Sequence, residues 1–208
     1  NRTRAWQTSA SLEQELVPGW AANIGYYRTE YKNILAAVNS AVTANDFDSF
    51  CVKAPQDARL PGGGGYDVCG NVDVKPALFG RVNTEIVKAK DLGVGDVTRV
   101  FQGVDISLTG RFGQGGQLTA GTSIGRTRLN TCALNKLPNA QVSGSAFDGG
   151  GNYITIPGNT ASSQPRTDDF CDVAPPLSKN MQVKVNGVYP LPYGFAVSGV
   201  FQSLPGEP

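Results

Sequence analysis

The chain contains no histidine. That removes the commonest general base and the commonest metal ligand. A Ser-His-Asp or Cys-His hydrolase and an imidazole zinc site are therefore excluded within these residues. Clustered charge is missing too. The 18 basic and 17 acidic residues leave a net charge of +1, and lysines and arginines stand singly, so no nucleic-acid-binding stripe exists. No apolar run is long enough for a membrane-spanning helix, and no signal peptide opens the chain. The start, "NRTRAWQTS", reads as the middle of a longer polypeptide, with any targeting segment upstream or removed. None of the four cysteines forms a CxxC pair, which argues against a zinc ribbon or a thioredoxin-type motif.

What is present suits a turn-rich β protein: 26 glycines, 13 prolines and only 17% charged residues. The cysteines Cys51, Cys69, Cys132 and Cys171 lie in polar, Gly/Pro-rich stretches, and their even count favours two disulfides in an oxidising compartment. Pairing 51–69 and 132–171 is preferred because each bridge closes its own loop. Other pairings and free thiols are the alternatives.

Three segments alternate with the period of a half-buried strand. In the first, residues 5–31, Trp6, Thr8, Ala10, Leu12 and Leu16 oppose Gln7, Ser9, Ser11, Glu13 and Glu15. After the Val17-Pro18-Gly19 turn, Trp20, Ala22, Ile24 and Tyr26 carry the apolar parity back. In the second, 98–127, Val104, Ile106, Leu108 and Phe112 oppose Asp105, Ser107, Thr109 and Arg111. Beyond Gly113-Gln114-Gly115-Gly116, Leu118, Ala120 and Ile124 oppose Gln117, Thr119 and Ser123. In the third, 181–203, Met181, Val183, Val185 and Tyr189 precede a Pro190–Gly194 turn, with Phe195, Val197 and Phe201 beyond it. Val188 and Val200 break the polar parity there.

Each strand runs about 9 to 12 residues, close to what a tilted strand needs to cross a bilayer. Connections within hairpins are short. Those between hairpins, about 32–97 and 128–180, are long, polar and contain the cysteines. This asymmetry matches outer-membrane barrels better than a soluble sandwich, with one face to lipid and Asp105, Thr109, Arg111 and Gln117 to the lumen. Trp6, Trp20, Tyr26, Phe112, Tyr189, Phe195 and Phe201, near turns or strand ends, suit an interfacial girdle. The stretch 82–103 is expected to add a hairpin or extend the barrel strands. Six strands, or eight, barely reach the smallest transmembrane barrel, so open edges are expected to pair with the rest of a barrel or with further copies.

The stretches "WQTSASLEQELVPGWAANIGYYRTEY", "LPGGGGYDVCG", "GVDISLTGRFGQGGQLTAGTSIGRT" and "YPLPYGFAVSGVFQSLPGEP" resemble the C-terminal barrel region of bacterial TonB-dependent-receptor-like outer-membrane proteins. The subgroup is the one carrying an N-terminal carboxypeptidase-regulatory-like domain. The resemblance covers nearly the whole chain. It implies a many-stranded barrel around a plug, extracellular loops, and uptake driven from an inner-membrane energy-coupling protein. The regulatory-like domain, the plug and the final strands are absent from these residues, so the resemblance implies part of a receptor.

No catalytic constellation emerges, and the chain is not expected to be an enzyme. Gly113–Gly116 lacks the Lys-Ser/Thr of a phosphate loop and reads as a hairpin turn. "PGGGGYD" (61–67) reads as a mobile or tightly folded loop. Asp46, Asp48, Asp168 and Asp169 are the candidate calcium ligands, but their spacing matches no EF-hand, so solvated acids or turn caps are preferred. Glu13 and Glu15 suggest cross-strand ion pairs more than glycoside hydrolysis. Tyr26, Tyr27, Tyr31 and Trp20 could form a carbohydrate platform, although a girdle explains Trp20 and Tyr26 more simply. The expected fold is all-β, antiparallel hairpins forming part of an outer-membrane barrel with two disulfide-pinned loops. A self-assembling extracellular protein and a secreted β-sandwich binding module are the competing readings.

Overall fold

The computed structural model describes residues 2–142 and 165–205. The middle of the second expected loop and the last residues of the C-terminal "SLPGEP" turn lie outside them. The protein is all-β. Among the described residues twelve strands follow in order: β1 (Arg4–Val17), β2 (Trp20–Lys32), β3 (Leu35–Asn39), β4 (Phe47–Lys53), β5 (Asp67–Val74), β6 (Thr84–Lys88), β7 (Thr98–Phe112), β8 (Gly116–Asn130), β9 (Ala140–Val142), β10 (Asp172–Val173), β11 (Met181–Pro190) and β12 (Ala196–Ser203). A short helix, α1 (Asp168–Cys171), precedes β10. Among the described residues no helix is long and apolar enough to cross a membrane.

The long strands fall where the alternation places them and join in the order β1-β2-β7-β8-β11-β12, with β10 attached to β8. Two of their hairpins, β1–β2 and β7–β8, reverse through glycines at φ > 0. Pro18-Gly19 sets Gly19 at φ 82°, the conformation a proline-glycine turn needs. Gly113 and Gly115, at φ 56° and 107°, close the β7–β8 hairpin as the glycine-rich centre predicts. Among the described residues the sheet is open, with β1 and β12 as its edges.

The chain divides into two compact units. One holds residues 5–30, 100–128 and 174–208; the other holds 1–4, 31–99 and 129–173. Much of the second comes from the stretches expected as loops, which carry structure of their own. A three-stranded sheet runs β6-β3-β9, and a separate hairpin pairs β4 with β5. Segment 82–103 adds no hairpin of its own. Its strand β6 pairs antiparallel with β3, Leu35 opposite Lys88 through Asn39 opposite Thr84, because Leu35-Ala-Ala-Val38 is a short apolar run that pairs on both sides. Ile34, Ala36, Ala89, Val97, Leu134 and Ala140 form the core of this unit. Strands of three to five residues are too short to show a period-2 signal.

Candidate functional site

The register of the long sheet sorts its side chains onto two faces. Met181 lies opposite Ile124, Val183 opposite Thr122, Val185 opposite Ala120 and Gly187 opposite Leu118. On the other side of β11, Val185 meets Phe201, Gly187 meets Gly199 and Tyr189 meets Val197. Directly opposed residues share a face, so these side chains make one apolar surface. The intervening residues Gln182, Lys184 and Asn186 pair with Ser123, Gly121 and Thr119, which makes the reverse face polar. Val188 and Val200 fall on that polar face, opposite Ser198 and Asn186.

Among the described residues the apolar surface is only partly covered, with Val104, Leu108, Leu118, Ile124, Val183 and Val185 half-buried. Ile106, Met181, Val197 and Phe201 are exposed, as is every residue of β1 and β12. The buried apolar residues Ile34, Ala36, Val42, Val74, Ala89, Val97, Leu134, Ala140 and Cys171 all belong to the disulfide-containing unit. Among the described residues, the long hairpins bury no apolar side chain.

At the hairpin-turn end this surface carries a row of rings. Trp20 stacks on Phe112 at 6.3 Å between centroids, and Phe112 on Tyr189 at 5.8 Å, joining strands β2, β7 and β11. Glycine makes the row possible. A Cβ on Gly110 would run into the Trp20 ring, and one on Gly116 into Tyr189 and Phe112. Along β2 the parity of Trp20 and Ile24 runs on through Tyr26 to Arg28, whose Nη2 meets Glu30 Oε1 at 2.6 Å. Along β8 the parity of Leu118 and Ile124 runs on to Arg126 and Arg128. An apolar stretch is thus bounded by rings at one end and by charge at the other. The turns also account for Glu15, whose Oε1 accepts the Gly19 N–H at 3.1 Å.

In the other unit Cys51 is bridged to Cys69 across the β4–β5 hairpin, and Cys132 to Cys171, the pairing preferred on loop closure. Cys132, Asp168 and Cys171 gather their ligand atoms within 4.8 Å, but sulfurs joined in a disulfide offer no thiolate to a metal. Of the four candidate calcium ligands, Asp46 accepts the Thr43 N–H at 2.7 Å and its hydroxyl at 2.9 Å. That makes it a turn cap, and these bonds hold its carboxyl below the ordinary range. Asp48 sits on β4 opposite Asp73, while Asp168 and Asp169 occupy the first turn of α1. The glycine run 62–65 takes positive φ at all four residues and pairs back on the chain, with Asp57 N–H donating to Gly63 O at 3.0 Å and Gly65 N–H to Ala54 O at 3.2 Å. It is a tightly folded loop.

Arg166 is the residue that sequence reading missed. Its Nη1 donates to Leu134 O at 2.5 Å and Leu137 O at 3.0 Å, and its Nη2 to Pro138 O at 3.1 Å and Ala140 O at 2.8 Å. Burial lowers its pKa to about 10, so it stays charged at neutral pH. Its own N–H donates to Gly70 O at 2.7 Å, tying the segment before Cys171 to the residue after Cys69. A lone arginine with carbonyl partners 26 to 32 residues away leaves no local pattern.

No protein-family model, curated protein or solved structure matches this chain.

Proposed function

We propose that this chain is a wall and outer-loop segment of a bacterial outer-membrane barrel of the TonB-dependent-receptor type. The apolar face of the long sheet meets lipid. The polar face lines the lumen. The disulfide-bridged unit faces outside, where it captures ligand for passage without covalent chemistry and without a cofactor. One observation carries this reading: the long hairpins, Val188 and Val200 apart, separate apolar from polar side chains by alternation and yet bury none of the apolar ones among the described residues. An antiparallel sheet in a soluble protein packs such a face against a core, and exposed apolar patches of this kind mark contact with membrane or protein. Bounding rings and charges support lipid as the contact. The disulfides support an oxidising exterior. The remainder of the barrel and outer-membrane lipid are its partners, and coupling to an inner-membrane energy source runs through regions outside these residues.

The two tryptophans, Trp6 and Trp20, test the reading directly. With the chain folded into phospholipid vesicles, acyl-brominated lipid should quench the emission of both single-tryptophan variants. A chain that is monodisperse without detergent, with emission indifferent to brominated vesicles, would sink it. The open edges β1 and β12 favour a second reading, a self-assembling extracellular protein in which copies pair edge to edge. Concentration-dependent filaments formed without lipid would select that one.

A further inference from the structure

The two disulfides of the smaller-stranded unit differ in access. Cys51 and Cys69 are both exposed, whereas Cys171 is buried at 4%. Thiol–disulfide exchange needs a thiolate to reach a sulfur, and exposed bridges are the labile ones. A reductant therefore meets the first bridge directly and the second only after something moves.

Cys171 ends a short segment, residues 166–171, that is held from two sides. On one side the Cys171 carbonyl accepts the Thr131 N–H at 2.7 Å and the Thr131 hydroxyl at 3.2 Å, while the Arg166 guanidinium grips carbonyls from Leu134 to Ala140. On the other side the Arg166 N–H donates to Gly70 O at 2.7 Å, and Gly70 directly follows Cys69. Between the two, the Thr167 carbonyl accepts the N–H groups of Phe170 and Cys171 at 3.1 and 3.2 Å. The placement of Arg166 and Thr167 is thus carried one turn on to Cys171.

Gly70 suits this contact. It stands at φ 89°, and a Cβ on it would come within 2.6 Å of Thr167 Cγ2 and 3.3 Å of the Arg166 nitrogen. Left-handed backbone and close approach are both reasons for a strand to carry glycine. The β4–β5 ladder does not itself fix this residue. It pairs Phe50 with Asn71 and Val52 with Val68, and its register shifts between them. Cys51, Cys69 and Gly70 occupy that irregularity, so the disulfide spans the place where pairing lapses.

We infer that the two bridges form a redox switch that opens in a fixed order. The Cys51–Cys69 bridge holds Gly70, Gly70 holds the segment 166–171, and that segment keeps the buried Cys132–Cys171 bridge from attack. The reductant is a dithiol. One of its thiolates attacks a sulfur of the exposed bridge, forming a mixed disulfide and releasing one cysteine. Its second thiolate then displaces the other cysteine. The dithiol leaves oxidised by two electrons, and its two protons end on Cys51 and Cys69. Gly70 then loses its tie, the segment lifts, and a second dithiol repeats the exchange at Cys132–Cys171. The switch lies within residues 31–99 and 129–173 and does not depend on the long sheet meeting lipid.

Dithiothreitol reduction of the full chain in detergent micelles, stopped with iodoacetamide at timed points and mapped by peptide mass spectrometry, reads each bridge separately. The first two-label species should carry its labels on Cys51 and Cys69. Two variants locate the coupling: Cys51→Ser with Cys69→Ser, and separately Gly70→Ala with both bridges kept. Each should speed reduction of Cys132–Cys171 at least about fivefold, the weight of one lost hydrogen bond. Gly70→Ala should leave the rate at Cys51–Cys69 unchanged. Labels appearing first on Cys132 and Cys171 would overturn the order. An unchanged rate at Cys132–Cys171 in either variant, or equal speeding of both bridges in Gly70→Ala, would overturn the coupling through Gly70.

Discussion

Tyr193 holds a conformation that its side chain disfavours. It stands at φ 64° and ψ 22°, next to Gly194 at φ 81°, so both take the positive φ of the central pair in a type I′ reversal. Glycine or asparagine is preferred there, and a left-handed residue with a bulky side chain costs about 1–2 kcal/mol. At 97% exposure the ring gains nothing from packing to offset this. Tyr193→Asn should therefore raise the stability of the β11–β12 hairpin by about 1 kcal/mol, read from denaturant midpoints in detergent. A loss would mean that the ring contributes a contact.

Asp46 and Asp57 behave differently, through charge. Hydrogen bonds from Thr43 depress the first carboxyl, and bonds from Arg59 the second, below the ordinary 3.8. A depressed folded-state value means that the stabilisation is present above 3.8 and is lost as pH falls through the lower folded value. Carboxyl NMR titrations should place both midpoints below those of other exposed aspartates. Midpoints at or above 3.8 would remove the capping role.

At the scale of elements, the two disulfides serve one unit. Separations of 18 and 39 residues correspond to about 3 and about 4 kcal/mol of loop-closure entropy. That weight falls where strands are short and the core is small. Reduction should raise amide exchange in β3, β4, β5 and β9 while β7, β8, β11 and β12 keep their protection. Uniform loss across all strands would show that the long hairpins depend on the bridges. Arg166→Ala removes a guanidinium from four carbonyls, and hydrogen bonds to charged groups are worth about 1.5–3 kcal/mol each. Leu134 and Leu137 keep backbone donors at 3.0 and 2.9 Å, so a loss of about 3 kcal/mol is expected, with exchange raised first at 134–142. A planar fork reaches several carbonyls at once, which an ammonium does not, so lysine at this position should recover less than half of the loss.

At the scale of the molecule, the two faces of the long sheet make opposite demands. A charge at the midplane of a lipid-facing surface costs about 2–4 kcal/mol for Lys or Arg, whereas lumen substitutions alter selectivity instead. Ile106→Lys and Phe201→Lys should impair insertion into vesicles, measured by flotation, and Ser107→Lys should not. Equal effects on both faces would argue for a soluble sheet.

The alternation of residues such as Ile106 with Ser107, and the Pro18-Gly19 and Gly113–Gly116 turns, was enough by itself to determine the long antiparallel hairpins. Side-chain parity and turn chemistry are local, so neither needs a neighbour to be recognised. Loop closure likewise favoured the two disulfides, since each bridge spans its own stretch of chain. Only the tertiary structure decided that the intervening stretches fold into a unit with its own core, because Leu35–Asn39 finds its partners about 50 and about 100 positions away and carries no period to announce them. The same is true of Arg166, whose carbonyl partners are distant in sequence. It also decided that Gly110 and Gly116 exist to seat rings. A glycine records that a side chain is absent, and what fills the space depends on which strand lies beside it.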